Sequence, residues 1–331
     1  MDFQSSYLTV GSDQGLKVTL STLGAGVRAL HFLGQPMILE LSDEKEYLSA
    51  DQFFGKTLGR VAGRIPAHPT LGLKTLSLEE DPGEKDIVLH GGLLHSLSFR
   101  EFHAFLQHEE GSTLVTFEYD SPALENGFPG NLKVRILYRI PDEGDTMKIE
   151  FHARSDEDTY VNLSNHMYFN FAGSKNVDEY KLQVRASSYS LFAKGTELPL
   201  GKGPVPKALD FREGVRLKDA LDLADKTIPV HNFDHFLYFD RIQTEDPQAV
   251  LEGNGYRMSL FTDYEGLNGY CDESMQKRSF KNAPDLLYRR ALALEPEKAN
   301  WPLENLLLPA GKEYVHFAAY RFEKLTDPRR D

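Results

Sequence analysis

Short segments in which apolar and polar side chains alternate recur along most of the chain. A period of two is typical of strands with one buried face, and the longer period of a helix is scarce. Two segments suit short helices, LKDALDLAD from Leu217 and APDLLYRR from Ala283. Strands about ten residues apart, without helices between them, predict an all-β fold, a large antiparallel β-sandwich. The alternating segments, bounded by Gly, Pro or Asp, begin at Leu16, Ser112, Asn131, Thr146, Tyr180, Tyr256, Arg290 and Tyr314.

The length of 331 residues suits one large β domain or two ordinary ones. Residues 195–214, GTELPLGKGPVPKALDFREG, are rich in Gly and Pro and could be a linker between domains. Because the same alternating pattern lies on both sides, we instead expect a long loop within one domain that spans residues 1–331.

Composition narrows the classes of partner. The chain has 50 acidic and 37 basic residues, a net charge of −13, which disfavours nucleic acid, an anionic membrane or a phosphorylated substrate. The single cysteine, Cys271, excludes an internal disulfide and fits a reducing compartment. The first residues lack the basic and apolar regions of a signal peptide, and no apolar run approaches the roughly 20 residues of a membrane span. We expect a cytoplasmic protein, monomeric or homodimeric.

The segment VNLSNHMYFNF, residues 161–171, has an unusual polar face. A solvent-exposed strand would carry charged residues or threonine there, but this one carries groups that form hydrogen bonds without a fixed charge. They are Asn162, Ser164, His166, Tyr168 and Asn170, opposite Val161, Leu163, Met167, Phe169 and Phe171. Such a face suits the floor of a cleft for a neutral, polyhydroxylated ligand. The alternative is that neighbouring strands satisfy His166.

Other stretches carry isolated polar residues in unusual surroundings. LGRVAGRIP carries two arginines with no obvious carboxylate partner. Either these arginines are surface residues, or their guanidinium groups bind vicinal hydroxyls of a ligand. A histidine ends the apolar run IVLHGG, an aspartate precedes a histidine in NFDHFLYFD, and a glutamate ends the apolar run of LALEPEKANW. Each signal alone is weak. The residues are Arg60, Arg64, His90, Asp234, His235 and Glu295.

Taken in order over nearly the whole length, these stretches resemble the aldose 1-epimerases, or galactose mutarotases. The matching motifs are GRVAGRI, LHGG, NLSNHMYFNFAG, LPLGKGPVPKALDFREG, FDH and LEPEKANWP. The resemblance implies a single-domain β-sandwich with a sugar cleft on one sheet, and an enzyme that interconverts the α and β anomers of aldohexoses such as galactose and glucose. It implies that His166 and Glu295 form the catalytic pair. It also implies that Arg64, His90 and Asp234 bind the substrate, with His90 able to share the acid role.

Anomer exchange needs one base and one acid. The base removes the proton of the C1 hydroxyl and the acid protonates the ring oxygen, so that the ring opens, C1–C2 rotates and the ring recloses. With ordinary pKa values of about 4.3 and 6.5, Glu295 would be the base and His166 the acid, and the roles swap on reclosure. No hydride, electron or phosphate moves, so we expect neither a cofactor nor a metal.

The chain departs from the family pattern at positions around the expected site. Gly63 and Val88 stand where asparagine is usual, and Glu297 stands where glutamine is usual. A further departure, KANWP, follows Glu297. An extra carboxylate beside Glu295 is expected to raise its pKa and move the rate profile to higher pH. The sugar preference stays open.

Three rival functions remain at this point. A hexose-6-phosphate mutarotase needs a basic cluster, and none is evident. A glycoside hydrolase would use two carboxylates, for which Asp234 and Glu295 are the natural candidates. A catalytically silent sugar-binding relative would keep the fold alone, but it has no use for the acid and base.

Overall fold

The computed structural model describes residues 6–48, 52–81, 85–93, 95–192, 196–228, 233–242, 244–271, 278–283 and 289–326. Within these ranges there is one α-helix, α1 Leu217–Thr227, which confirms the helix predicted from Leu217. Its apolar residues recur at the spacing of one helical face, and they are buried at Leu217, Ala220, Leu221 and Ala224. Most of the helix predicted from Ala283 lies outside the described residues. None of the described helices is long and apolar enough to cross a membrane.

Strands make up most of the rest. The first part of the chain contains β1 Tyr7–Gly11, β2 Leu16–Ser21, β3 Gly26–Phe32, β4 Gln35–Pro36, β5 Thr57–Leu58, β6 Arg64–Pro66, β7 Thr70–Leu71, β8 Lys74–Thr75 and β9 Ile87–Leu89. The middle contains β10 His103–Glu109, β11 Ser112–Ser121, β12 Leu132–Pro141, β13 Thr146–Ser155, β14 Thr159–Tyr160, β15 Ser164–Asn165, β16 Tyr168–Phe169, β17 Lys181–Val184, β18 Ser188–Phe192, β19 Pro199–Pro204 and β20 Val215–Arg216. The last part contains β21 Phe233–Tyr238, β22 Ala249–Gly253, β23 Tyr256–Thr262, β24 Gly266–Cys271, β25 Leu292–Glu297, β26 Leu307–Leu308 and β27 Glu313–Lys324. Short 3-10 helices lie at Glu44–Leu48, Leu97–Phe99, Glu125–Gly127, Phe171–Gly173, Lys207–Leu209 and Leu303–Leu306.

Three antiparallel sheets form the architecture. A nine-stranded sheet has the order β10-β11-β12-β13-β27-β23-β22-β17-β20, a six-stranded sheet has the order β16-β25-β24-β21-β18-β19, and β1–β4 form a third. One buried apolar cluster takes side chains from all three sheets, as with Leu20, Ile136 and Leu294. Strands such as β2, β11, β12 and β13 alternate in burial and place one face in a shared core, and the predicted all-β sandwich is confirmed.

The Gly- and Pro-rich stretch is not the long loop that we expected. Residues 199–204 form β19, which pairs with β18 at the edge of the six-stranded sheet. An edge strand tolerates Pro199 and Pro204 because its outer side has no partner that needs an amide hydrogen. After this stretch the chain returns to the nine-stranded sheet, where β17 pairs with both β20 and β22.

The predicted strand over residues 161–171 is interrupted. Only β15 and β16 are strands within it, because β15 pairs with β5 whereas β16 pairs with β25. The two sides still differ as the alternation predicts. The apolar side lies in the main core at Val161, Leu163, Met167, Phe169 and Phe171.

Candidate active site

A cleft lies on one face of the six-stranded sheet. Strand register places Asn268 of β24 opposite Glu295 of β25, and Asp234 of β21 opposite Tyr270 of β24. Residues at alternate positions face the core instead, as Leu294 does. Counting the open solvent at its mouth, the cleft holds about 740 Å³.

The cleft brings together all five residues that the sequence singled out for the site. They are Arg64, His90, His166, Asp234 and Glu295. The sequence analysis did not select other residues that line it, including Phe53, Glu197, Asn268, Tyr270 and Asn300. For Asn268 and Tyr270 a signal was present, because GLNGYC also alternates uncharged polar groups with apolar ones. No comparable signal exists for Glu197.

His166 and Glu295 face each other at the floor of the cleft. The distance between Nε2 of His166 and Oε1 of Glu295 is 3.4 Å, and both side chains are almost fully buried. Among the described residues, neither carboxyl oxygen of Glu295 nor Nδ1 of His166 has a hydrogen-bond partner. Both groups are therefore available to exchange protons with a ligand that binds beside them.

Burial shifts both pKa values of this pair toward the neutral forms. Desolvation raises the pKa of Glu295 well above its usual value, and the charge of Asp234 adds to this, against the amide of Asn268 and the charge of Arg64. Desolvation lowers the pKa of His166 to about 4, although Asp234 opposes it. The ordinary pKa values expected from the sequence are therefore wrong for this buried pair.

The pKa of Glu295 is raised, as expected, but burial and a charge other than that of Glu297 raise it. Glu297 does line the cleft. However, the negative charge that raises the pKa of Glu295 is that of Asp234. Burial and the charge of Glu295 in turn raise the pKa of Glu297 well above its usual value.

His90 presents one hydrogen-bond donor to the cleft. Its Nδ1 accepts the backbone N–H of Gly63 at 3.0 Å, so in the neutral ring the proton is on Nε2. Desolvation, with the charges of His166 and Arg64, holds the pKa of His90 well below its usual value. The turn after it is tight, since a Cβ on Gly91 would lie 2.4 Å from the carbonyl oxygen of Gly59.

The same hydrogen bond argues against a metal centre here. One ligand atom each of His90, His166 and Glu295 lie within 4.8 Å of one another, a spacing that a metal ion could use. A metal needs an imidazole lone pair, but Nδ1 of His90 uses its own to accept from Gly63 and Nε2 carries the proton. Two remaining ligands suit proton transfer better than a closed metal site.

Arg64 has carboxylate partners, contrary to the sequence analysis. Its guanidinium donates to Oδ2 of Asp234 at 2.9 Å, 170 residues away in the chain, and lies 2.6 Å from Oε2 of Glu197. The amide of Asn268 donates to the other oxygen of Asp234 at 3.1 Å. Burial alone would raise the pKa of Asp234, but Arg64 and Asn268 outweigh it and hold that pKa below its usual value.

Arg60 is neither a surface residue nor a cleft residue. Its side chain is buried and donates to Oγ of Ser121 at 2.9 Å and to the carbonyl oxygens of Pro122 at 2.8 Å and Pro129 at 3.0 Å. Arg60 therefore holds together the chain segments at the end of β11 and before β12. His235 likewise points away from the cleft, into the rings of Tyr189, Phe192 and Phe233.

Three of the polar residues in 161–171 contact strand backbone instead of facing the cleft. Asn162 exchanges two hydrogen bonds with the backbone of Lys298, both at 2.9 Å. Ser164 donates to the carbonyl oxygen of Pro296 at 2.8 Å, and Asn170 donates to that of Arg290 at 2.7 Å. They hold β25 and its ends in place, and only His166 and Tyr168 of this face line the cleft.

Comparison with known proteins gives a consistent result. The model of one protein family, described as aldose 1-epimerase, matches residues 6–321. A galactose mutarotase of Sus scrofa is 29% identical, over 94% of this chain and 92% of its own length. An aldose 1-epimerase of Escherichia coli (strain K12) is 26% identical, over 95% of this chain and 94% of its own.

Solved structures share the fold. A galactose 1-epimerase from Lactobacillus acidophilus superimposes with a TM-score of 0.87 and 24% identity, covering 98% of this chain and 97% of its own. An aldose epimerase homologue from C. elegans gives a TM-score of 0.83 at 24% identity, covering 98% of this chain and all of its own.

Proposed function

We propose, from the premise that the chain belongs to the aldose 1-epimerase family, that it interconverts the α and β anomers of free aldohexoses by acid–base ring opening and reclosure. Membership makes the chain an isomerase, and its partner is a small sugar. The proposal adds the mechanism, the residues and the substrate range, with glucose and galactose as the first sugars to test.

One observation carries the mechanism. His166 and Glu295 lie 3.4 Å apart in a cleft, and among the described residues the Glu295 oxygens have no hydrogen-bond partner. We assign the pair one shared proton. With that proton on His166, Glu295 accepts the proton of the C1 hydroxyl while His166 protonates the ring oxygen. Ring opening leaves the proton on Glu295, and reclosure then uses His166 as base and Glu295 as acid.

The raised and lowered pKa values agree with a shared proton. Burial favours the form in which Glu295 is protonated and His166 is neutral. This form already contains one acid and one base, and it is the form that ring opening would produce. The roles predicted from the sequence, Glu295 as base and His166 as acid, therefore describe ring opening. Burial favours protonated Glu295 and neutral His166, which is the form that reclosure uses.

The surrounding groups suit a sugar. The Nε2–H of His90 and the guanidinium of Arg64 are donors, and the carboxylate of Asp234 is an acceptor. The ring of Phe53 lies 4.7 Å from that of His90 and 6.3 Å from that of His166, which gives an apolar surface for a C–H face. We propose that Arg64, His90 and Asp234 bind hydroxyl groups. We further propose that the protein works in a reducing compartment such as the cytoplasm.

Polarimetry or NMR of freshly dissolved α-D-glucose and α-D-galactose tests the proposal. We expect the protein to accelerate anomer exchange. Glu295→Gln and His166→Gln should each lower kcat by a factor on the order of 10²–10⁴, because each removes a positioned proton carrier. The exposed residues Glu110 and His103 provide matched controls, Glu110→Gln and His103→Gln, with full activity expected.

Each contrary outcome points to a specific rival. Binding of sugar without acceleration would indicate a silent relative, and acceleration limited to hexose 6-phosphates would indicate the phosphate-specific enzyme. Release of reducing sugar from a glycoside would indicate a hydrolase that uses Asp234 and Glu295. Full activity in both pair variants would refute the assigned mechanism.

A further inference from the structure

Glu297 is a buried acid of the cleft that the proposed mechanism does not use. It lies on β25 two residues after Glu295, so both carboxyl groups face the same side of the sheet. Its side chain lines the cleft, and the residue is only 2% exposed. Among the described residues, its Oε2 has no hydrogen-bond partner. A buried acceptor of this kind is costly unless a ligand satisfies it.

Gly63 and Asn300 are neighbours of Glu297. A Cβ on Gly63 would lie 3.1 Å from Oε1 of Glu297 and 2.4 Å from the Asn300 amide nitrogen, so the absence of a side chain at 63 leaves room for both groups. The Asn300 amide group is used elsewhere. It donates to the carbonyl oxygens of Ala62 at 2.8 Å and Arg64 at 3.2 Å, and accepts from Asn162 at 3.0 Å.

The charges around the cleft are unbalanced. The described lining residues include four carboxyl groups, those of Glu197, Asp234, Glu295 and Glu297. Arg64 is the only arginine or lysine among those described lining residues, and it already contacts Asp234 and Glu197. No cation of the described lining therefore stabilises an ionised Glu297, and burial raises its pKa so that the protonated form is favoured. A positively charged ligand would favour the ionised form and bind it.

We propose that Glu297 makes this cleft select hexoses that carry a positively charged amino group, the amino sugars, over neutral and anionic hexoses. The ammonium group would donate to Oε2 of Glu297 while the anomeric carbon lies between His166 and Glu295. An anionic sugar, such as a uronic acid or a sugar phosphate, would form no ion pair with Glu297 and would be repelled by the carboxylate of Asp234, whose pKa is lowered. The inference rests on the proposed function for its catalytic part only.

A kinetic comparison tests the catalytic part. The specificity constant for anomer exchange is measured at neutral pH for D-glucosamine, D-glucose and D-glucuronate. We expect the ratio for glucosamine over glucose to exceed one in the natural chain and to fall by at least about tenfold in Glu297→Gln, because a charge-assisted hydrogen bond is lost. Glucuronate should be the poorest of the three. The same ratio in both proteins would overturn the proposal.

A binding comparison separates this proposal from mutarotase activity. Methyl glycosides cannot open their ring, so calorimetric binding of methyl α-D-glucosaminide and methyl α-D-glucoside reports selectivity even in a protein without activity. We expect the amino glycoside to bind about tenfold more tightly or better, and its neutral N-acetyl derivative to lose this advantage. Both comparisons use the natural chain, so they stand even where Glu297→Gln fails to fold. Equal affinities would overturn the selectivity and leave the proposed function standing.

Discussion

Two arginines four residues apart in LGRVAGRIP have unrelated environments. Arg60 is enclosed by backbone carbonyl groups, and Arg64 lies in the cleft against Asp234 and Glu197. Local sequence does not separate them, since both follow a glycine. The difference arises because the side chain of Arg60 points toward the loop that follows β11, whereas that of Arg64 points toward β21.

This difference predicts opposite effects for the same substitution. Arg60→Met should lower the free energy of unfolding by about 3 kcal/mol, because several buried carbonyl groups lose their donor. Arg64→Met should instead raise KM for the sugar by about tenfold or more, because a donor to the hydroxyl groups is lost. Urea unfolding and steady-state mutarotation measure the two quantities. A reversed pattern would contradict the assignments.

At the scale of elements, β25 depends on residues 161–171 for its position. Side chains of Asn162, Ser164 and Asn170 bond to the backbone of β25 or its ends. The strand carries Glu295 and Glu297, while residues 161–171 carry His166. The same segment thus presents one member of the proposed catalytic pair and positions the other.

Asn162→Ala tests this coupling. It leaves the N–H and the carbonyl oxygen of Lys298 without their side-chain partner, so we expect the free energy of unfolding to fall by about 1–3 kcal/mol. We also expect a lower kcat, because Glu295 is less firmly placed. Asn305→Ala removes a bond to the carbonyl oxygen of Trp301 at the surface and should change stability by less than about 0.5 kcal/mol. Equal effects of the two variants would argue against the coupling.

At the scale of the whole molecule, the three sheets share one apolar core. Strands from before and after residues 195–214 pair within the same sheets, as β17 does with β20 and β22. We infer from this that residues 1–331 form one domain. Histidines buried in the neutral form are part of this interior, and they make its stability depend on pH.

His235 provides the test of this pH dependence. Burial lowers its pKa to about 4 in the folded chain, below the usual 6.5. From about pH 6.5 down to about 4 the unfolded chain therefore binds more protons, so the free energy of unfolding falls as the pH falls. His235→Asn keeps an acceptor for the N–H of Asp234 without titrating. We expect it to reduce the loss of stability between pH 7 and pH 5 by about 2 kcal/mol. Parallel pH curves for the two proteins would contradict this.

The amino-acid sequence alone was enough to predict the β-sandwich and the five candidate site residues that the cleft brings together. Alternation with a period of two is a local property, so it predicted the core-facing side of strands such as β12 and β13 and the apolar side of residues 161–171. The uncharged polar groups drew attention to His166 by the same local logic. The loop predicted for the Gly- and Pro-rich stretch was wrong, because part of it is the edge strand β19. Composition alone does not reveal whether a segment will pair at a sheet edge.

Only the tertiary structure decided the contacts and charges of the cleft. Arg64 meets Asp234 across 170 residues, and Asn268 meets Glu295 through strand register, which no local pattern encodes. The direction of each pKa shift depends on burial and on the neighbouring charges, which exist only when the chain is folded. The sequence therefore predicted the candidate acid and base, and folding determined the direction in which each pKa shifts.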